Sequence, residues 1–117
     1  MKGIRNSVKL IGHLGKDIEI REFEGGKKLA RTSLATNDFY KNSDGEKVKD
    51  TQWHNIVAWN KTADNFASIC QKGTEVAVEG KLVHREYTDS EGSKRYVSEV
   101  VVNEFMKLSP KKEALPF

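Results

Sequence analysis

The sequence predicts an all-β fold in which five strands close into a small Greek-key barrel, with one helix between strands 3 and 4. Three observations predict this fold. Apolar and polar residues alternate in five segments, glycine-containing turns separate several of these segments, and one segment changes to helical spacing. The length of 117 residues is that of a single domain.

The first two strands are predicted from alternation and from a glycine pair. In "SVKLIGHLG", Val8 and every second residue to Leu14 share one face, and Ile11 lies on the other. Gly25-Gly26 is a hairpin signal before an extended run, and Asp44-Gly45 is a second turn signal. Because the first strand is apolar on both faces, one face can fill the barrel while the other meets a partner.

The third strand, ending in "TQWHNIVAW", carries both tryptophans of the chain. Trp53 and Trp59 are six residues apart and therefore share one face of a strand. Ile56 and Ala58 take the other face, with His54 near the rim. Small barrels are filled by side chains, and two indoles from one strand would overfill the interior. We therefore expect Ile56 and Ala58 to point inward and both tryptophans to point outward.

The helix is predicted in "NKTADNFASICQKG", where apolar residues follow helical spacing. Asn60 or Thr62 is expected to cap its start, and Gly73 to close its end. Cys70, the only cysteine, is expected to be a buried and inert thiol. A single cysteine forms no internal disulfide.

Strand spacing returns in "TEVAVEGKLVHREY" and in "RYVSEVVVNEF". Val76, Val78 and Leu82 are expected to point inward and Tyr87 outward. Five strands with a helix between the third and fourth form the order of an OB-fold, and a five-stranded sandwich is the alternative. The predicted OB-fold domain covers residues 1–108, and residues 109–117 form a short flexible tail with a Leu-Pro-Phe tip.

The outward-facing aromatic residues alternate with cations, which is typical of a surface that binds single-stranded nucleic acid. Flat rings stack on unpaired bases, and Lys and Arg follow the phosphates. The alternative is that these rings cover a subunit interface. The candidate residues are Tyr40, Trp53, Trp59 and Tyr87, with the cations Lys41, Lys61, Lys72, Lys81 and Arg85.

Five stretches of the sequence resemble the bacterial single-stranded DNA-binding proteins of the homotetrameric OB-fold type. They are "NSVKLIGHLGKDIEIR", "LARTSLAT", "TQWHNIVAWNKTAD", "KGTEVAVEGKL" and "REYTDSEGSKRYVSEVVV". In order along the chain, they span nearly the whole of residues 4 to 103. The resemblance implies a sequence-independent single-stranded DNA binder that protects DNA during replication, recombination and repair.

The resemblance also implies roles for individual residues. Tyr40, Trp53, Trp59 and Tyr87 would stack on bases, and Lys61, Lys72 and Arg85 would contact phosphates. The partner would be the chain itself as a homotetramer, with Leu10, Ile11 and His54 at or near subunit contacts.

Three departures from the family pattern affect these expectations. Tyrosine stands at positions 40 and 87, where many relatives carry tryptophan, so the stacking area is smaller. Asn55 and Glu86 occupy positions that are often basic. The tail is short and weakly acidic. Two alternatives therefore stay open for its tip: it recruits replication and repair proteins, or it has no role. That predicted partner-binding tip comprises Glu113, Leu115, Pro116 and Phe117.

The sequence contains no pattern typical of an enzyme or a cofactor site. "GGKK" and "GHLG" lack the spacing of phosphate-binding loops, and the three histidines are scattered. We expect no catalytic residue, no metal and no cofactor, and the missing apolar N-terminal run predicts a cytoplasmic protein without a membrane partner. The functional alternatives are an accessory primosomal or mobile-element OB-fold protein, which acts through protein contacts, and an OB-fold enzyme or sugar binder.

Overall fold

The computed structural model describes residues 4–108, and the predicted tail and its tip lie outside the described residues. Within these residues, six strands and one α-helix follow in the order β1 (Val8–Leu14), β2 (Glu19–Glu22), β3 (Lys28–Lys41), β4 (Lys47–Trp59), α1 (Asn60–Ile69), β5 (Glu75–Thr88) and β6 (Lys94–Lys107), with a short 3₁₀ turn at Glu24–Gly26 between β2 and β3. Five of these strands correspond to the predicted ones. The added strand, β2, is short, has an exposed side chain at each of its four residues and pairs only with β3.

Five strands close into a barrel, which confirms the predicted OB-fold. The strand order is β1-β5-β6-β4-β3, and β1 returns to β3 through the pairs His13–Ala35 and Leu14–Leu34. The contact between β4 and β6 is parallel, and the other barrel pairs are antiparallel. The two long hairpins, β3–β4 and β5–β6, extend from the barrel as arms, and most of their residues near the turns are exposed.

The barrel interior is filled from the predicted faces of the strands. Leu34, Ile56 and Val76 are fully buried, and Phe66 of α1 packs against Phe105 with ring centroids 4.9 Å apart. The helix therefore covers one end of the barrel. Residues 4–108 contain no helix with the length and hydrophobicity that a membrane span needs.

The helix ends differ from the prediction. No side chain caps the start of α1, because the Oδ1 atom of Asn60 instead accepts a 3.1 Å hydrogen bond from the backbone N–H of Lys28 on β3. Gly73 has the left-handed φ of 89° expected at a turn, yet the helix has already ended at Ile69. Cys70 is buried as predicted, and this burial raises the pKa of its thiol.

Leu82 is the one inward-phase residue of β5 whose burial was predicted wrongly. It pairs with the buried Val100 and so keeps the predicted phase, but its side chain is 39% exposed. After Gly80, where β6 accommodates Asn103 as an extra residue, no further residue of β5 is buried, and the strand continues into the solvent-exposed arm. Alternation alone gives the face of a strand residue but not where the strand leaves the core.

Candidate nucleic-acid interface

Trp53 and Trp59 lie on the outer face of β4, as predicted. Trp53 is 63% exposed and Trp59 is 41% exposed, whereas Ile56 and Ala58 are fully buried on the inner face. His54 is half-buried near the rim, where its Nε2 lies 3.0 Å from the Thr36 Oγ1. An outer face that exposes two indoles is a candidate binding surface.

Trp53 rests against a glycine of the loop that follows β1. A Cβ atom placed on Gly15 would lie 2.4 Å from the Cζ3 atom of Trp53 and 2.8 Å from the Oγ atom of Ser33. The backbone N–H of Gly15 donates a 2.9 Å hydrogen bond to the carbonyl of Ser33, so this position is tied to β3. Gly15 therefore supports one side of the indole and leaves the rest open. Sequence reasoning missed this residue, because the contact joins segments distant in the chain.

Trp59 is less open because a second ring covers part of it. The Phe23 ring, from the connection between β2 and β3, lies 6.5 Å from the Trp59 ring between centroids at 32°. Lys61, two residues after Trp59 in the sequence and at the start of α1, is exposed. The Trp59 ring is therefore held by the protein on one side, with a cation close to it in sequence.

A groove of about 360 Å³ lies on the same outer face, between β3, β4 and the β5–β6 arm. Its lining includes Arg31, Asn55, Arg85 and Tyr87, together with Lys16. Tyr87 is 45% exposed. Neither Arg31 nor Lys16 was predicted from sequence, although Arg31 shares the tryptophan face through its pairing with Val57. The groove thus brings three cations and one predicted aromatic residue together.

Arg85 is not a free cation in this groove. Its Nε and Nη2 atoms donate 3.0 Å hydrogen bonds to the two carboxylate oxygens of Glu99, which is only 7% exposed. These hydrogen bonds raise the pKa of Arg85 above its ordinary value. The guanidinium also lies 5.9 Å from the ring centroid of Tyr87. Arg85 therefore neutralises a buried carboxylate and lies beside Tyr87, with less charge left for a phosphate.

The remaining predicted residues are dispersed. Lys81 lies on the outer face of β5, and Lys41 lies at the end of β3. Lys72 lies in the connection between α1 and β5, where its backbone N–H donates to the Oδ1 atom of Asp17 at 2.9 Å. Tyr40 is 55% exposed, but it pairs with Val48 and so lies on the strand face opposite to that of Trp53.

The Arg85–Glu99 pair gives a prediction about stability. Replacing Arg85 with Ala leaves a buried carboxylate without its hydrogen-bond donors, which costs roughly 1–3 kcal/mol of the free energy of unfolding. Lys81 is an exposed residue on the same strand, and Lys81→Ala should change the free energy of unfolding by no more than about 0.5 kcal/mol. Chemical denaturation followed by circular dichroism measures both values, and equal stability of the two variants would contradict the structural role given to Arg85.

The residues of this surface do not group into a metal site. Within residues 4–108, no three His, Cys, Asp or Glu side chains lie close enough together to hold a metal ion. The fold and the surface instead define an OB-fold protein whose outer face combines open rings with cations.

Comparison with known proteins gives the family. The family model described as "Single-strand binding protein family" matches residues 5–108. The chain therefore belongs to the single-strand binding protein family, as the resemblance predicted.

Two bacterial relatives are each called "Single-stranded DNA-binding protein 1". The protein from Chlorobaculum tepidum is 41% identical over 107 residues, covering 91% of this chain and 66% of the relative. The protein from Xylella fastidiosa is 38% identical over 109 residues, covering 92% of this chain and 80% of the relative. The chain thus spans just under two thirds of the length of the first of these relatives.

Two solved structures are similar to this chain. The "Plasmodium falciparum SSB complex with ssDNA" superposes with a TM-score of 0.81 and 27% identity, covering 93% of this chain and 99% of the other. A deletion mutant of the single-stranded DNA-binding protein from Thermus aquaticus gives a TM-score of 0.78 at 24% identity, covering 91% and 51%. At that identity, the second similarity shows the fold alone.

Proposed function

We propose that this chain binds single-stranded DNA without sequence preference, and that its outer face holds the strand. The observation that carries the proposal is the shared outer face of Trp53, Trp59 and Tyr87, on which flat rings are open to a ligand. Stacking on unpaired bases is sequence-tolerant, because every base has a π-face. Duplex DNA keeps its base faces hidden, so this surface is suited to single strands.

The family relationship supports the same function. Two relatives are named single-stranded DNA-binding proteins, and a structure of similar fold contains single-stranded DNA. Stacking contributes most of the contact through Trp53, Trp59 and Tyr87, and the phosphates are followed by cations that include Lys41, Lys61, Lys72 and Lys81. Arg31 and Lys16 join them in the groove. A non-catalytic role in replication, recombination and repair, in the cytoplasm, is part of this proposal.

Binding to labelled oligonucleotides tests this function. Fluorescence anisotropy with fluorescein-labelled oligo-dT should give saturable binding, and a hairpin duplex of equal nucleotide number should bind much more weakly. A preference for the duplex would overturn the proposal. The accessory primosomal or mobile-element alternative predicts weak binding to both ligands, because such a protein acts through protein contacts.

We also propose that the chain assembles with copies of itself through the outer face of β1, β5 and β6. On this face Ile11 pairs with Ala77, and Ala77 pairs with Met106, so the three form an apolar row. Ile11 is 60% exposed and Met106 is 64% exposed, beside a depression of about 460 Å³. Leu10, in contrast, packs against the core of its own subunit. The predicted homotetramer would cover this row.

A charge at the centre of this row tests the assembly. Ile11→Lys should lower the molar mass in light scattering from about four times 13.2 kDa towards one or two chains, because burying an unpaired ammonium group is costly. Ile20→Lys, at an exposed position of β2 away from this row, is the matched control and should leave the mass unchanged. A monomeric original chain at micromolar concentration would contradict the proposal.

The roles of His54 and of the tail stay predictions. His54 is held by Thr36 of its own chain, so its place near a subunit contact depends on how the subunits meet. Recruitment of replication and repair proteins through Glu113, Leu115, Pro116 and Phe117 concerns residues outside the described part of the chain.

A further inference from the structure

Glu99 is the one acidic side chain among the described residues that line the groove of about 360 Å³, where it lies among Lys16, Arg31 and Arg85. It is also the only buried charged side chain of residues 4–108, at 7% exposure. A carboxylate repels the phosphates that the three cations attract. Its presence in this groove therefore opposes the binding of DNA.

The strand register brings Glu99 next to Arg85. Glu99 of β6 pairs with Val83 of β5, so Arg85, two residues further along β5, is its diagonal neighbour on the same face. On its other side Glu99 pairs with Asn55 of β4. The carboxylate thus lies between two neighbouring strands, which accounts for its burial.

The two partners of the ion pair differ in how far they reach the solvent. The side chain of Arg85 is 38% exposed, whereas that of Glu99 is 8% exposed. A phosphate can approach the exposed arginine, but its Nε and Nη2 atoms already donate to the two carboxylate oxygens at 3.0 Å each. Bidentate pairs between arginine and a carboxylate are among the stronger hydrogen-bonded contacts in proteins. A phosphate must therefore compete with Glu99 for Arg85.

The same pair sets the charge of the groove. Lys16, Arg31 and Arg85 contribute three positive charges and Glu99 one negative charge, so the lining carries two net positive charges. Without the charge of Glu99 it would carry three. A buried ion pair is not an efficient source of stability, because neutral residues of similar volume often stabilise a fold as well. Its effect on the attraction of phosphates, in contrast, is direct.

We propose that Glu99 limits the affinity of the groove for single-stranded DNA by holding Arg85 in a bidentate ion pair. The inference deepens the proposed function and rests on it. While the pair stays intact, one cation fewer is available to the strand. When a phosphate takes Arg85, the buried carboxylate loses its donors, and this cost is subtracted from binding. In both cases the strand is held less tightly and is released more readily.

Neutralising Glu99 tests the proposal through a gain of affinity. Glu99→Gln keeps the size of the side chain and removes its charge. In anisotropy titrations with oligo-dT, the slope of log affinity against log salt should be steeper by about 0.7, the value for one phosphate contact on a single strand. The gain is roughly eightfold at 0.05 M salt if the two chains bind alike at about 1 M. Equal or weaker binding by folded Glu99→Gln at the lower salt would overturn the proposal, because a purely structural ion pair gives no gain.

A second acidic residue controls for the charge of the chain as a whole. Glu22→Gln removes the same charge from the exposed strand β2, where Glu22 pairs with Lys28 and does not line the groove. It should leave the slope unchanged, and an equal gain for both variants would overturn the proposal. Circular dichroism verifies that each variant is folded. If Glu99→Gln is unfolded, Glu99→Ala takes its place with the same expected steepening.

The gain should also depend on Arg85. In a double variant that combines Arg85→Gln with Glu99→Gln, neither charge of the pair remains, so its salt slope should equal that of the original chain. A steeper slope that persists in the double variant would overturn the proposal, because Arg85 would then not be the cation that Glu99 restrains.

The original chain in the same titrations separates the two levels of the argument. If it fails to bind oligo-dT, the proposed function is wrong. If it binds, and Glu99→Gln binds no more tightly, then only the limiting role of Glu99 is wrong.

Discussion

Raising the salt concentration tenfold, from 0.05 to 0.5 M, is expected to weaken oligo-dT binding by roughly two to three orders of magnitude. Each phosphate neutralised on a single strand contributes about −0.7 to the slope of log affinity against log salt, and the proposed contacts include at least four exposed cations. These are Arg31, Lys41, Lys61 and Lys81. Stacking does not depend on counterion release, so binding should remain measurable at the higher salt.

Two lysines that differ in their ion pairing provide the control for this salt effect. Lys61→Gln should make the slope shallower by about 0.7. Lys28→Gln should not change it, because the Nζ atom of Lys28 lies 3.2 Å from the Asp64 carboxylate and its charge is already neutralised within the chain. Isothermal titrations at four salt concentrations give the slopes. An affinity that is independent of salt would contradict phosphate contacts on this face.

Trp53→Ala is expected to weaken oligo-dT binding by about 1–3 kcal/mol, or roughly 5- to 150-fold, which is a large effect for a single substitution. Trp53 is the most exposed of the predicted stacking rings, and its indole lies against Gly15 with the rest of the ring open. Trp59→Ala should cost less, because Phe23 covers part of that ring. Anisotropy titrations measure both losses, and denaturation controls for the stability of the fold.

Gly15→Ala tests whether the position of the Trp53 ring matters for binding, in a chain that keeps the ring itself. The added methyl group would overlap the far end of the indole, so the ring must move while the chain keeps both tryptophans. We expect an affinity between that of the original chain and that of Trp53→Ala. If Gly15→Ala binds normally, the support under the indole has no role in binding.

The alternation of residues within single strands could be predicted from the sequence, and the structure confirms it for the barrel core. The outward direction of Trp53 and Trp59 follows from their spacing and from the small size of Ile56 and Ala58. These inferences need only the period of a strand. They therefore hold wherever the strand is regular and lies on the barrel.

Interactions between strands could not be predicted in this way. The Arg85–Glu99 pair depends on the register of β5 against β6, which one strand does not contain. Gly15 meets Trp53 only because the barrel closes β1 onto β3. A regular period also gave no sign that Leu82 lies beyond the core.

Phe39 shows a different limit of the sequence analysis. The family resemblance points to the motif position of Tyr40, and both residues look alike as exposed rings at the end of a strand. The unbroken β3–β4 register is what assigns Phe39 to the face of Trp53. A residue can thus match a motif by position while its neighbour shares the strand face of Trp53.

The emission of Trp53 on addition of single-stranded DNA tests the central claim most directly. In a Trp59→Phe variant Trp53 is the only indole of the chain, so its fluorescence reports this one position. Stacking on a base predicts strong, saturable quenching by oligo-dT and little change with an equal concentration of duplex. Unchanged Trp53 emission, while anisotropy shows that the same oligo-dT is bound, would contradict the assignment of this face to DNA.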